Sequence, residues 1–158
     1  MSTASLVWFR DDLRLADNPA LTAAVTRGEP VVALYVLDEE SPGIRPLGGA
    51  AKWWLHGSLT ALATSLAEHD VQLVLRRGTA REVVAALVAE VDAGAVFWNR
   101  RYGAAERDVD AGLKESLRAD GVEVESFAAS LLFEPWTIQT GSGTPYSVFT
   151  PYWRACLA

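Results

Sequence analysis

Ser5–Leu37, SLVWFRDDLRLADNPALTAAVTRGEPVVALYVL, reads as one complete strand–helix–strand unit. Its two ends, Ser5–Phe9 (SLVWF) and Val31–Leu37 (VVALYVL), are apolar nearly throughout, the pattern of parallel strands covered on both faces. Between them Asn18-Pro19 supplies an N-cap followed by a proline at the first helical position, and Gly28 closes the helix. Parallel strands require such a crossover, and crossovers of this kind are right-handed.

The same alternation continues downstream. Val71–Leu75 (VQLVL), Ala95–Trp98 (AVFW) and Val122–Phe127 (VEVESF) read as three further strands, the last alternating as an edge strand does. A helix from about Gly49 to His69 carries Ala51, Leu55, Leu59, Leu62 and Leu66 along one stripe, and Asp70 leads into the next strand. Thr79 and Glu82 have the spacing of a capping box, with Gly94 just past that helix. Gly103–Asp120 is a weaker helix because Gly112 sits inside it. Five βα units in series predict an α/β fold: a Rossmann-like, doubly wound, five-stranded parallel sheet in three α/β/α layers. From Ala128 to Thr150 no long periodic element appears, and Thr140–Pro145 is turn-rich. Thr150-Pro151 then repeats the cap-plus-proline signature before Tyr152, Trp153, Cys156 and Leu157. We expect a cut at a domain linker, with 1–128 as the α/β domain.

The chain has 158 residues, the size of one domain, with half of them apolar. No apolar run approaches the ~20 residues of a membrane span, so a cytoplasmic location is expected. Cys156 is the single cysteine and His56 and His69 the only histidines, which predicts no internal disulfide and no metal cluster. A net charge of −6 does not suit a stand-alone DNA-binding module, which needs a basic face.

Ligands of open α/β sheets bind beyond the carboxyl ends of the strands, where strand order reverses. The residues just past the strands are Arg10-Asp11-Asp12, Asp38-Glu39-Glu40, Arg76-Arg77 and Asn99-Arg100-Arg101-Tyr102. In the common order 3-2-1-4-5 this brings Arg10 near Asn99 and Arg101, a set suited to a planar anionic or amide-rich ligand. The same charges also read as solvated turn residues forming local ion pairs. No glycine-rich dinucleotide fingerprint follows the first strand and no phosphate-binding P-loop motif occurs, against a nicotinamide dehydrogenase or a P-loop enzyme. Gly48-Gly49 reads either as a helix N-terminus open to an anion or as a flexible lead-in. Trp53-Trp54 read as core or interdomain packing rather than as a stacking platform, Trp98 as core, and Trp136 and Trp153 as packing against a further domain.

Four blocks, in order, carry a specific resemblance. Val7–Ala20, VWFRDDLRLADNPA, closely matches the opening pattern W-F-R-x-D-L-R-x-x-D-N-P-A-L of the photolyase/cryptochrome family. Arg45–Leu55 (RPLGGAAKWWL), Trp98–Tyr102 (WNRRY) and Gly143–Arg154 (GTPYSVFTPYWR) resemble its second long helix, fourth-strand loop and interdomain linker. Gly103 departs from the acidic residue and proline that many relatives place after the tyrosine. The resemblance implies an N-terminal domain that holds an antenna chromophore: a deazaflavin, a folate or FMN. Residues 129–158 are then a linker and the start of a helical domain that binds FAD and receives damaged DNA. The resemblance implies antenna contacts at Arg10, Asp38, Lys52, Asn99, Arg101, Tyr102 and Glu106, and a parent protein that is a light-driven lyase repairing pyrimidine dimers. The 158 residues alone are not expected to be catalytic. Two other readings stay open: the same domain of a cryptochrome, a blue-light receptor that signals through partners, and a free-standing nucleotide-binding module.

Overall fold

Five parallel strands form one sheet in the order β3-β2-β1-β4-β5: β1 (Ala4–Phe9), β2 (Val31–Leu37), β3 (Leu73–Arg77), β4 (Ala93–Asn99) and β5 (Glu123–Phe127). This computed structural model describes residues 3–158. Helices α1 (Pro19–Thr26), α2 (Gly49–Ala67), α3 (Ala80–Glu90) and α4 (Ala104–Ala119) connect the strands, and α5 (Phe149–Leu157) follows an irregular segment. The doubly wound, three-layer reading of the sequence is the observed fold.

Strand alternation divides the core in two. On one face Leu6, Trp8, Leu34, Val96 and Trp98 pack against Val84 and Leu87 of α3 and Leu113 and Leu117 of α4. On the other, Val7, Phe9, Ala33 and Phe97 pack against Ala20 and Ala24 of α1 and Leu62 and Leu66 of α2. The Trp8 and Trp98 rings meet edge-on, with centroids 5.7 Å apart, as aromatic quadrupoles prefer.

Most predicted boundaries hold, and the exceptions have identifiable causes. The Asn18 side chain accepts from Leu21 N at 3.1 Å with Pro19 beside it, and Gly28 closes α1 at φ +77°. β3 begins two residues later than expected, so Arg76 and Arg77 belong to the strand. It is an edge strand, with Leu75 exposed rather than covered on both faces. Gly94 does not end α3; Asp92 turns the chain at φ +50° and Gly94 lies within β4. A Cβ there would stand 2.5 Å from Thr3 Oγ1, so the strand needs its glycine. Thr79 and Glu82 hydrogen-bond each other rather than the backbone, and Asp38 caps α3 instead, accepting from Ala80 N at 3.1 Å. Val148, not Thr150, is the N-cap of α5, and Pro151 sits in its first turn.

The stripe on α2 is buried only at its far end, Leu62 and Leu66. Its first half stands away from the sheet, leaving Trp53 and Trp54 76% and 72% exposed. Trp53-Trp54 are therefore no part of this domain's core, whereas Trp98 is fully buried. Trp136 and Trp153 are half-exposed, and α5 has no buried residue. Among the described residues no helix is long and apolar enough to cross a membrane.

Candidate functional site

Strand order reverses at β1, with β2 on one side and β4 on the other. A crevice of 170 Å³ opens there, lined by Trp8 and Arg10 from β1 and the loop after it, Tyr35 and Asp38 from β2 and its loop, and Arg101 and Glu106 beyond β4. Val36 and Leu37 of β2 also line it, with Asp11, Ile44, Arg45 and Leu47. A second space of 480 Å³, lined by Arg10, Asp11, Tyr35, Trp54 and Ser58 among others, continues it toward α2.

Arg10 is 4% exposed and anchors the crevice floor. Its Nη1 donates to Asp110 Oδ1 at 2.5 Å, its Nη2 donates to the Asn99 carbonyl, and its guanidinium lies 4.6 Å over the Trp8 ring. Burial pulls the Arg10 pKa below its ordinary value, with the Asp110 carboxylate opposing. Asp110 also accepts from Trp98 Nε1 at 3.0 Å, so both its oxygens are occupied. Removing one partner of such a pair strands a buried charge, at a cost of about 3–5 kcal/mol. Arg10 Nε and Arg101 Nε are both buried without a hydrogen-bond partner. Two guanidinium donors beside one crevice thus lack acceptors within the protein.

Asn99 does not face the crevice. Its Nδ2 donates to Asp12 Oδ2 and to Asn18 Oδ1, and its Oδ1 accepts from Ala20 N at 3.2 Å. Asp12 in turn accepts from Arg10 N at 2.9 Å. The amide clamps the loop after β1 to the start of α1, and none of its groups is left for a ligand.

Asp38 reaches the crevice edge, but its carboxylate is already engaged. It accepts from the backbone N–H groups of Glu40 and Ser41 through Oδ1 and of Ala80 through Oδ2. Partial burial pushes its pKa up, and the hydrogen bonds from Ser41, Ala80 and Glu40 together outweigh this and hold it below the usual aspartate value. Lys52 lies outside the crevice, paired with Glu39 at 2.7 Å. The Lys52 ammonium, against a smaller opposing desolvation, depresses the Glu39 pKa. Gly48 is the N-cap of α2 and makes no side-chain cap.

Tyr102 sits on the opposite side of Arg101. Its hydroxyl donates to Glu134 Oε1 at 3.0 Å, and desolvation, with Glu134 adding to it, raises its pKa. Glu106 occupies the first turn of α4, where the helix dipole favours a carboxylate. It folds back over Gly103 so closely that a Cβ at that glycine would stand 2.1 Å from Glu106 Oε2. Of the seven expected contacts, the fold brings Arg10, Asp38, Arg101 and Glu106 to one crevice and sends Lys52, Asn99 and Tyr102 elsewhere. Asp11, one of the residues just past β1, also lines it, and Trp8, Tyr35 and Arg45 do so without having been anticipated as ligand contacts. The register of β1 against β2 was the available signal for Tyr35, since it pairs with Phe9, the last residue of β1.

The profile of the DNA photolyase family matches residues 5–158. The chain belongs to the DNA photolyase family. It is 51% identical over 150 residues to the deoxyribodipyrimidine photo-lyase of Agrobacterium fabrum, covering 95% of this chain and 31% of that protein. The crystal structure of a class III photolyase from Agrobacterium tumefaciens superposes with a TM-score of 0.92 at 47% identity, over all of this chain and 32% of that one. Cryptochrome-1 of Arabidopsis thaliana is 41% identical over 157 residues, covering 98% of this chain and 23% of that protein. This photolyase-family chain therefore spans a third or less of the length of these relatives. The crevice lies at the switch point where such sheets take their ligands.

Proposed function

We propose that this chain is the light-collecting α/β portion of a deoxyribodipyrimidine photolyase, with an antenna chromophore held in the crevice between β1, β2 and β4. The observation that carries the reading is the pair of partnerless buried donors, Arg10 Nε and Arg101 Nε, in a crevice walled by Trp8 and Tyr35. Flavin, deazaflavin and pterin rings are planar and edged with carbonyl and ring-nitrogen acceptors, and they suit aromatic walls with fixed donors. The crevice alone is smaller than most ligand clefts, typically ~300 Å³ or more. Together with the space running to Trp54 it has room for a three-ring chromophore.

Arg101 and Arg10 would hold ring acceptors, Glu106 and Asp11 would accept from ring N–H or hydroxyl groups, and Trp8 and Tyr35 would exclude water. The chromophore, when bound, supplies absorption of near-UV or blue light and passes the excitation onward. FAD binding, lesion binding and bond cleavage belong, on this reading, to the remaining two thirds of a longer protein. The net charge of −6 supports that division, since DNA phosphates need a basic surface.

The test is titration of the chain with FMN, a deazaflavin and methenyltetrahydrofolate, followed by absorbance and fluorescence. At least one is expected to bind saturably, and Arg101→Ala to weaken it about tenfold, the worth of one hydrogen bond to a charged donor. Indifference to all three ligands would overturn the proposal. The 41% identity to a cryptochrome supports a second reading, a light receptor without repair. Dimer repair by the longer protein under near-UV light separates the two.

A further inference from the structure

Arg101 has a second side. Beyond it lies a separate cavity of 330 Å³, lined by Arg101, Tyr102, Arg107, Lys114 and Trp136, with Ser126 at its base. It shares only Arg101 with the crevice. Its charges do not balance. Arg100 is satisfied by Glu134 at 2.5 Å, and both oxygens of Asp110 are taken by Arg10 and Trp98. Among the described residues Arg101, Arg107 and Lys114 have no carboxylate within ion-pair distance, and exposed Asp108 is the one unpaired acid on the wall. Three cations without an ion-pair partner around one cavity stand out in a chain of net charge −6.

Lys114 is the sharpest case. Its Nζ donates to Ser126 Oγ at 2.6 Å and lies 5.6 Å from the centroid of the buried Trp98 ring. Desolvation lowers its pKa, the nearby Arg118 and Arg100 guanidinium groups add to this, and the Asp110 and Glu125 carboxylates oppose it. A half-buried ammonium pressed by other cations is stabilised by an anion in the cavity. The remaining wall is aromatic: Tyr102 and Trp136 stand 6.5 Å apart, and Arg100 lies over one face of Trp136, whose ring remains half-exposed.

We infer that this cavity binds a planar aromatic phosphomonoester the size of a nucleoside monophosphate, its phosphate between Lys114 and Arg107 and its ring against Trp136. The volume suits one nucleotide, and the aromatic wall gives a base a surface that phosphate alone would not use. A nucleic-acid strand would need a continuous basic track, whereas these cations surround a single cavity.

Calorimetric titration of the chain with AMP, adenosine and inorganic phosphate tests this. AMP is expected to bind saturably, with adenosine and phosphate each at least about tenfold weaker, since each forfeits one half of the contacts. Lys114→Gln and Arg107→Gln should each weaken AMP about tenfold, the worth of a charge-assisted hydrogen bond. Arg107 is exposed, so its substitution leaves folding intact and keeps the test valid if Lys114→Gln proves unstable. Trp136→Ala should abolish the advantage of AMP over phosphate. Glu106→Gln, which alters only the crevice, should leave AMP affinity unchanged. AMP no tighter than phosphate, indifference to Arg107→Gln, or sensitivity to Glu106→Gln would each overturn the assignment.

Discussion

Asn99 shows how a single side chain sets the shape of the crevice without touching its contents. Its amide ties Asp12, Asn18 and the α1 backbone together at 3% exposure, and so fixes where Arg10 leaves β1. Asn99→Ala would strand the Ala20 N–H and leave the buried Asp12 Oδ2 only a long bond from Asn18 Nδ2, and should destabilise the domain by about 2–3 kcal/mol in urea unfolding. A cost under about 1 kcal/mol would mean that Asp12 and Asn18 hold the loop without it. Gly103 acts in a comparable way on Glu106. A methyl group there collides with the folded-back carboxylate, so Gly103→Ala should swing Glu106 outward. Chromophore affinity is expected to fall several-fold while the melting temperature stays nearly constant, because the far end of a flexible side chain gives way cheaply. An unchanged affinity would remove Glu106 from the ligand's surroundings.

At the scale of elements, α3 owes its first turn to a residue on a different strand loop. The Asp38 carboxylate accepts from Ala80 N and also closes its own turn through Glu40 and Ser41. Because these bonds hold its folded pKa below the unfolded value, its contribution is complete above pH about 4 and is lost as pH falls through the folded pKa. Asp38→Ala should therefore cost about 1–2 kcal/mol at neutral pH, with the gap to the parent chain narrowing below pH about 4. Urea midpoints at several pH values check this, and a constant gap would place the cap elsewhere. The same contact marks the limit of local sequence reading. Asn18-Pro19 announces α1 because cap and helix are neighbours in the chain. Thr79 and Glu82 have the right spacing, but their side chains bond each other, and a carboxylate 42 residues upstream takes the Ala80 N–H at the start of the helix. Likewise β3 starts late because its register is set by β2 rather than by its own apolar run.

For the molecule as a whole, strand order and the position of the crevice were legible because apolar runs, caps and handedness all point to one topology. Site membership was legible in part. Residues past a strand end can turn toward the crevice, as Arg101 and Glu106 do, or into the body of the domain, as Asn99 does, and side-chain direction depends on partners distant in sequence. The central position of β1 has a further consequence. On a ribosome the strand Ala4–Phe9 emerges first, finds β2 some thirty residues later, and must wait until residue 99 has been made before β4 covers its other edge. Through that interval a strand that is buried along its whole length in the folded domain presents an open hydrogen-bonding edge, the situation in which nascent chains pair wrongly. Slower translation across residues 37–99 therefore lengthens this exposure, whereas a pause after β4 is complete does not.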